Sequence, residues 1–247
     1  MRVLITGAGI RLGEAMSRAF AHAGFDVAIH YRTAHSPAEA LAETIRAKGR
    51  EAILVPGDLS QPSGPARIAA AVMDAWDSVD VLVNNAAAYA PCPIEDLDCQ
   101  TWDEMLAVNT RAPLLLSRAL LPALRKRTLA GGGSILNLVD ITAERPVPGY
   151  AHYTASKAAL VALTRALALE LAPQVRVNAI APGTVLAPPD LDAESLDRIV
   201  ATIPLRRTGT PADVANAAVF LCSAPYITGQ VLAVDGGRSV GGPMEAG

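Results

Sequence analysis

Short aliphatic runs alternate along the chain with longer stretches whose apolar residues recur every three to four positions. Val3 to Thr6, Asp26 to Tyr31, Glu51 to Val55 and Val79 to Asn84 read as strands, separated by helical patterns. A long helical pattern from about Thr101 to Arg127 follows, then a strand from Ser134 to Val139 and a helix from about Tyr150 to Leu171. The strand Arg176 to Ile180, a helix opening at Pro211 behind Thr210 as N-cap, and a last strand near Gln230 to Val234 complete the series. Units of this length require parallel strands joined by right-handed crossovers, with helices on both faces. The expected fold is α/β, a Rossmann-type doubly wound parallel sheet of about seven strands in a single domain spanning residues 1–247. Gly131-Gly132-Gly133 reads as a turn. Val185 to about Pro204 lies beyond a strand end and reads either as an ordinary surface loop with a short helix or as a lid over the site. The tail from Gly241 to Gly247 is expected to fray unless a neighbouring subunit holds it.

Composition narrows the function classes. With 51% hydrophobic and 18% charged residues, 247 residues bury one large aliphatic core. The net charge of −3 comes from interspersed acids and bases, so no basic field would draw the chain to nucleic acid, and Arg125-Lys126-Arg127 reads as a solvated helix end. Cys92, Cys99 and Cys222 form neither an even set nor a zinc-type pair, and no disulfide scaffold or metal site is expected. Met1 leads directly into the first strand, and no apolar run is long enough to span a bilayer. The expectation is a cytoplasmic protein without a membrane partner.

Three segments carry candidate chemistry. After the first strand comes Thr6-Gly7-Ala8-Gly9-Ile10-Arg11-Leu12-Gly13, a turn whose glycines let the backbone approach a pyrophosphate while the next helix aims its N-terminus there. Gly7, Arg11 and Leu12 are its candidate cofactor contacts. Leu12 falls where a strict G-x-G-x-x-G would place its third glycine, so the turn alone is a weak signal. The second strand ends at His30-Tyr31-Arg32-Thr33, with no acid to bind ribose hydroxyls; a guanidinium and a hydroxyl there suit a 2′-phosphate, and NADPH is expected over NADH. Farther on, Tyr153 and Lys157 stand four residues apart on one helix face, in a chain whose other lysines are Lys48 and Lys126. A nearby cation favours the phenolate and is expected to lower the Tyr153 pKa, which suits that phenol as a general acid.

In this order, the turn, Asn84-Asn85-Ala86, Asn109, Tyr-x-x-x-Lys at 153 and 157, Pro182-Gly183 and Asp235-Gly236-Gly237 resemble the short-chain dehydrogenases/reductases over nearly the whole chain. The resemblance implies Asp58 and Leu59 near the adenine, Asn85 and Ala86 along the adenosine ribose, and Pro182, Gly183, Val185 and Leu186 beside the nicotinamide. It implies that Tyr153 and Lys157 also touch the cofactor, that Asn109 supports a water relay or holds its helix, and that the chain forms a homotetramer.

Most members of that family carry a serine thirteen residues before the tyrosine; here the residue is Asp140. Ketone reduction builds negative charge on oxygen, which an ionised carboxylate would repel, so Asp140 argues for a substrate that presents N–H donors or is protonated at a C=N bond. Arg11, His30-Tyr31, Asp140 and Asn109-x-x-Ala112-Pro113 together resemble the pteridine reductases. That resemblance implies hydride transfer from NADPH to a pteridine, a dihydropterin of the biopterin or monapterin type or a dihydrofolate, with Tyr153 as proton donor assisted by Asp140 and Lys157. Arg11, Tyr89, Asp140 and Tyr153 would contact the substrate, Tyr89 by stacking on the flat ring. Two alternatives stand beside it: a carbonyl or 3-oxoacyl reductase with a protonated Asp140, and a non-catalytic NADPH-sensing protein.

Overall fold

The computed structural model describes residues 1–126, 129–186 and 192–241. Seven strands form one parallel sheet: β1 (Arg2–Ile5), β2 (Asp26–Tyr31), β3 (Ala52–Pro56), β4 (Val81–Asn84), β5 (Gly133–Leu138), β6 (Val175–Pro182) and β7 (Val231–Val234), in the spatial order 3-2-1-4-5-6-7. The inner aliphatic runs, β1, β4, β5 and β6, are buried on both faces, which is why they read as continuous rather than alternating apolar segments, whereas the edge strands β3 and β7 are partly exposed. Helices α1 (Arg11–His22), α2 (His35–Ala47) and α8 (Pro211–Ser223) cover one face around Met16, Phe20, Leu41 and Val214. On the other face, α3 (Gly64–Ala75), α5 (Ala112–Leu124) and α6 (Ala151–Leu171) pack around Ile68, Leu116, Leu120 and Leu171. The order of strands reverses between β1 and β4, and every strand points its carboxyl end to the same edge, where a crevice opens.

The helical pattern expected as one unit from Thr101 to Arg127 is divided. It forms α4 (Cys99–Leu106), a π-helical turn (Ala107–Arg111) and α5. Pro113 has no N–H to give the Asn109 carbonyl four residues back, and the widened turn sets the Asn109 side chain free to bond elsewhere. Arg127 lies outside the described residues, as do residues 187–191 of the stretch read as loop or lid and residues 242–247 of the tail. What is described of that stretch includes α7 (Ala193–Ala201), capped by Asp192 and carrying no buried residue. Thr210 caps α8 as expected, in a reciprocal capping box with Asp213. The three cysteines are free, and among the described residues no group of His, Cys, Asp or Glu could hold a metal and no helix is long and apolar enough to cross a membrane.

Gly13 performs the close packing that the sequence left unassigned. A Cβ there would lie 2.0 Å from the Gly7 carbonyl oxygen, so only glycine lets α1 lean onto the turn. Replacing it, Gly13→Ala, is expected to cost about 3 kcal/mol and lower Tm by roughly 6–12 °C in thermal unfolding. An unchanged Tm would mean that the turn relaxes freely.

Candidate active site

The phosphate-binding turn is held from three sides. The Thr6 hydroxyl accepts the backbone N–H groups of Asn85 and Ala86, both at 2.9 Å. Asn85 donates from its side-chain amide to the carbonyls of Thr6 at 2.8 Å and Gly7 at 3.1 Å. His30 accepts the Gly7 N–H at Nδ1 (3.1 Å), and its Nε2–H donates to the Gly57 carbonyl (3.2 Å). Both ring nitrogens are thereby used, and burial lowers the His30 pKa to about 4, so the ring is neutral and braces the turn. His30, expected among the cofactor contacts, thus has both ring nitrogens bonded to backbone atoms of the turn and of the β3 end.

Arg11 occupies the left-handed region, with φ 56°, where a side chain costs on the order of 1–2 kcal/mol relative to glycine. Helix α1 begins there with no side-chain cap, leaving its first N–H groups for an anion. Arg11 also borders an open cleft of about 370 Å³ with Glu14, Arg18, Leu186 and Pro211.

At the end of β2, the Tyr31 hydroxyl lies 2.8 Å from Nδ1 of His35, while Arg32 and Thr33 are exposed. Beyond β3, Asp58 accepts the Ser60 N–H (2.9 Å) and hydroxyl (2.7 Å). Those bonds, with Arg32 nearby, hold its carboxyl below the usual range. Leu59 is buried beside it, and Arg111 in the π-helical turn donates to the Ser60 carbonyl at 2.7 Å. Arg111 was not legible as a site residue, because its partner is a backbone atom far away in sequence.

The chemistry-bearing side chains meet where β5 ends and α6 begins. Tyr153 donates its phenol to Asp140 Oδ2 at 2.9 Å, and the other Asp140 oxygen accepts the Thr142 N–H at 2.8 Å. Lys157, 3% exposed, donates to the Leu138 carbonyl at 2.7 Å, with Nζ 5.7 Å from the centre of the Tyr153 ring. The expectation that Lys157 lowers the phenol pKa does not hold here. Burial first, and the Asp140 carboxylate second, push Tyr153 above its ordinary value. Burial brings Lys157 down to about 8, opposed by Asp140.

Tyr89, 60% exposed, stacks on Tyr150 (centroids 4.9 Å, interplanar angle 19°) and meets Tyr153 edge-on at 4.8 Å. Tyr150 escaped the sequence reading, although its place at the start of the Tyr153 helix was a usable signal. Asn109 donates to the Ala88 carbonyl (3.0 Å) and the Ser156 hydroxyl (3.0 Å) and accepts the Ala88 N–H (2.8 Å). Its amide thus clamps the loop bearing Tyr89 to α6.

On the far side, β6 ends at Pro182, and the Gly183 N–H donates to Val234 at 3.0 Å. A Cβ on Gly183 would stand 2.7 Å from the Asp235 side chain, so Asp235 fixes the course of the segment running through Val185 and Leu186. Arg238 donates to the Thr184 hydroxyl at 2.6 Å, and Arg145, from the loop after Asp140, reaches the carbonyls of Arg238 and Gly241. The C-terminal turn therefore ties both walls of the crevice together.

A crevice at the reversal point of a doubly wound sheet, an uncapped helix behind a glycine turn, and a Tyr-Lys pair at the strand ends define a dinucleotide-dependent oxidoreductase. Consistent with that class, residues 7–239 match the family described as enoyl-(acyl carrier protein) reductase. An uncharacterized oxidoreductase of Mycobacterium tuberculosis is 39% identical over 240 residues, covering 95% of this chain and 90% of the relative. A 3-oxoacyl-[acyl-carrier-protein] reductase of Staphylococcus epidermidis is 35% identical over 240 residues, covering 95% and 97%. The crystal structure of FolM alternative dihydrofolate reductase 1 from Brucella canis, complexed with NADP, superimposes with a TM-score of 0.89 at 33% identity, covering 99% of this chain and 96% of that one. The chain belongs to the short-chain dehydrogenase/reductase family.

Lys157 makes stability depend on pH. Its ammonium titrates near 8 when folded, against about 10.4 in an unfolded chain. Between those values the unfolded state binds more protons, so stability rises with pH, and the cost of burying the charge is fully present below about pH 8. Urea unfolding at pH 8 and pH 9.5 is expected to show wild type gaining about 1.5 kcal/mol relative to Lys157→Met. Equal gains would mean that Lys157 does not titrate in this window.

Proposed function

We propose that this chain is an NADPH-dependent reductase of pteridines, converting a dihydropterin-type ring to its tetrahydro form. The observation that carries the reading is the Tyr153 phenol hydrogen-bonded to a carboxylate, Asp140, at 2.9 Å. The exposed Arg32 and Thr33 at the β2 end, together with the NADP complex of the Brucella relative, support the cofactor. Gly7, Arg11, Leu12 and the first turn of α1 would hold its pyrophosphate, and Arg32 and Thr33, next to Tyr31, the 2′-phosphate. Asp58 and Leu59 would flank the adenine, Asn85 and Ala86 the adenosine ribose, and Pro182, Gly183, Val185 and Leu186 the nicotinamide. The turn fits such a group: Gly7 has φ 62° and α1 has no capping side chain.

NADPH, when bound, supplies the hydride. Tyr153 supplies the proton, from Oη to a ring nitrogen of the substrate. With its pKa above the ordinary phenol value, Tyr153 stays fully protonated at neutral pH, so the acid is loaded before substrate arrives. Lys157 then stabilises the phenolate left behind, from its position beside the Tyr153 ring. Each Asp140 oxygen already accepts one hydrogen bond and keeps a lone pair, enough to receive the N–H donors of an aminopyrimidine edge. The exposed Tyr89 ring, backed by Tyr150, offers a flat surface to a flat substrate.

A second reading, a 3-oxoacyl reductase, is favoured by the likeness to the staphylococcal enzyme. It requires Asp140 to be protonated, because an ionised carboxylate would face a developing alkoxide. Assembly as a homotetramer belongs to the same proposal, supported by the exposed Leu169 on α6 and Phe220 on α8. Light scattering is expected to give four times the chain mass, and a monomeric mass would remove it.

Substrate class is decided by following NADPH oxidation with dihydrobiopterin and with a simple oxoester. Wild type is expected to turn over the pteridine, Asp140→Ser to lose about a hundredfold, and Tyr153→Phe to lose roughly 10²–10⁴ while still binding NADPH. Turnover of the oxoester alone would return the chain to the carbonyl reductases.

A further inference from the structure

The loop between β2 and α2 contains one polar group that the preceding account leaves unused. His35 is the first residue of α2, exposed, with Nδ1 2.8 Å from the Tyr31 hydroxyl and its ring 5.4 Å from that of Tyr31. This contact occupies one edge of the imidazole. Among the described residues Nε2, on the opposite edge, has no hydrogen-bond partner. The loop lies against the phosphate turn: a Cβ on Gly9 would stand 3.3–3.4 Å from the Ala34 carbonyl and the Ala38 side chain. The first turn of α2 has neither an acid nor a side-chain cap. Of the nearby carboxylates, Asp58 is engaged by Ser60 and lies near Arg32, and Glu39 is paired with Arg46.

We propose that His35 is a specificity-determining residue for the cofactor, donating from Nε2 to the 2′-phosphate alongside Arg32 and Thr33. The assignment requires the Tyr31 phenol to donate to Nδ1, which leaves the ring proton on Nε2 for the anion and makes Tyr31 a positioning residue. This rests on the NADPH reading but not on the choice of substrate.

The test is competitive binding of 2′,5′-ADP and 5′-AMP, which differ only in the 2′-phosphate, to wild type, His35→Ala, His35→Gln and Tyr31→Phe. His35→Ala is expected to weaken 2′,5′-ADP about tenfold and leave 5′-AMP unchanged, the effect of one lost hydrogen bond to a charged group. His35→Gln, which retains an N–H donor, is expected to recover part of the loss, and Tyr31→Phe to show a smaller loss confined to 2′,5′-ADP. An equal loss for both nucleotides in His35→Ala, or none, overturns the proposal. Wild type binding both nucleotides equally would overturn the 2′-phosphate reading itself, whereas a wild type that discriminates and a His35→Ala that discriminates as well removes His35 alone.

Discussion

The hydrogen bond from the Lys157 ammonium to the Leu138 carbonyl joins the last residue of β5 to the second turn of α6. Two residues beyond Leu138 stands Asp140, and one helical turn before Lys157 stands Tyr153, so a single buried contact sets the distance between carboxylate and phenol. The ammonium lies in a region dry enough to lower its pKa to about 8, and the same dryness raises that of Tyr153. Both shifts arise from desolvation, and both sharpen the electrostatic consequences of having a carboxylate within hydrogen-bond reach.

Beneath this edge the sheet carries a ladder of buried amides. Asn84 and Asn137 are in register on neighbouring strands and bonded at 2.9 Å, and Asn137 donates onward to Thr164 of α6 at 2.9 Å. Apolar packing by itself permits a helix to slide on an aliphatic sheet, whereas a buried amide tolerates only the position in which it is satisfied. The ladder therefore pins α6, and with it Tyr153 and Lys157, to the strands that carry the rest of the site. Asn109 does the same for the loop that carries Tyr89, binding it to Ser156 on the same helix.

Three conspicuous residues belong to the candidate site. Asp140 replaces a hydroxyl with a carboxylate, Arg11 accepts a left-handed backbone where glycine is easier, and Tyr89 places a ring against Tyr153. Each is costly or conspicuous alone: a carboxylate beside a buried phenol, a strained arginine, a largely exposed aromatic. Asp140 and Tyr89 place a hydrogen-bond acceptor and an aromatic surface on either side of the Tyr153 phenol, and the proposed pteridine reading rests on that pairing.

The aliphatic runs determined the sheet, because strands buried on both faces cannot be written in any other alphabet, and the alternation with helices determined its parallel sense. Tyr153, Lys157 and Asp140 were legible because local spacing places the first pair on one helix face, and because the third is a carboxylate where the resemblance leads one to expect a hydroxyl. Three matters were decided only by the tertiary structure. The backbone partners of both His30 ring nitrogens come from two other segments, and only the fold brings them to it. Lys157 reads as a cation that acidifies its tyrosine, but burial and Asp140 reverse the direction of the shift. The long helix expected after β4 breaks at a π-helical turn, where Asn109 finds partners twenty-one and forty-seven residues away. Sequence pattern reports which residues are neighbours along a helix or strand. Desolvation and long-range hydrogen bonding depend on which segments the fold stacks together, and that information resides in the packing.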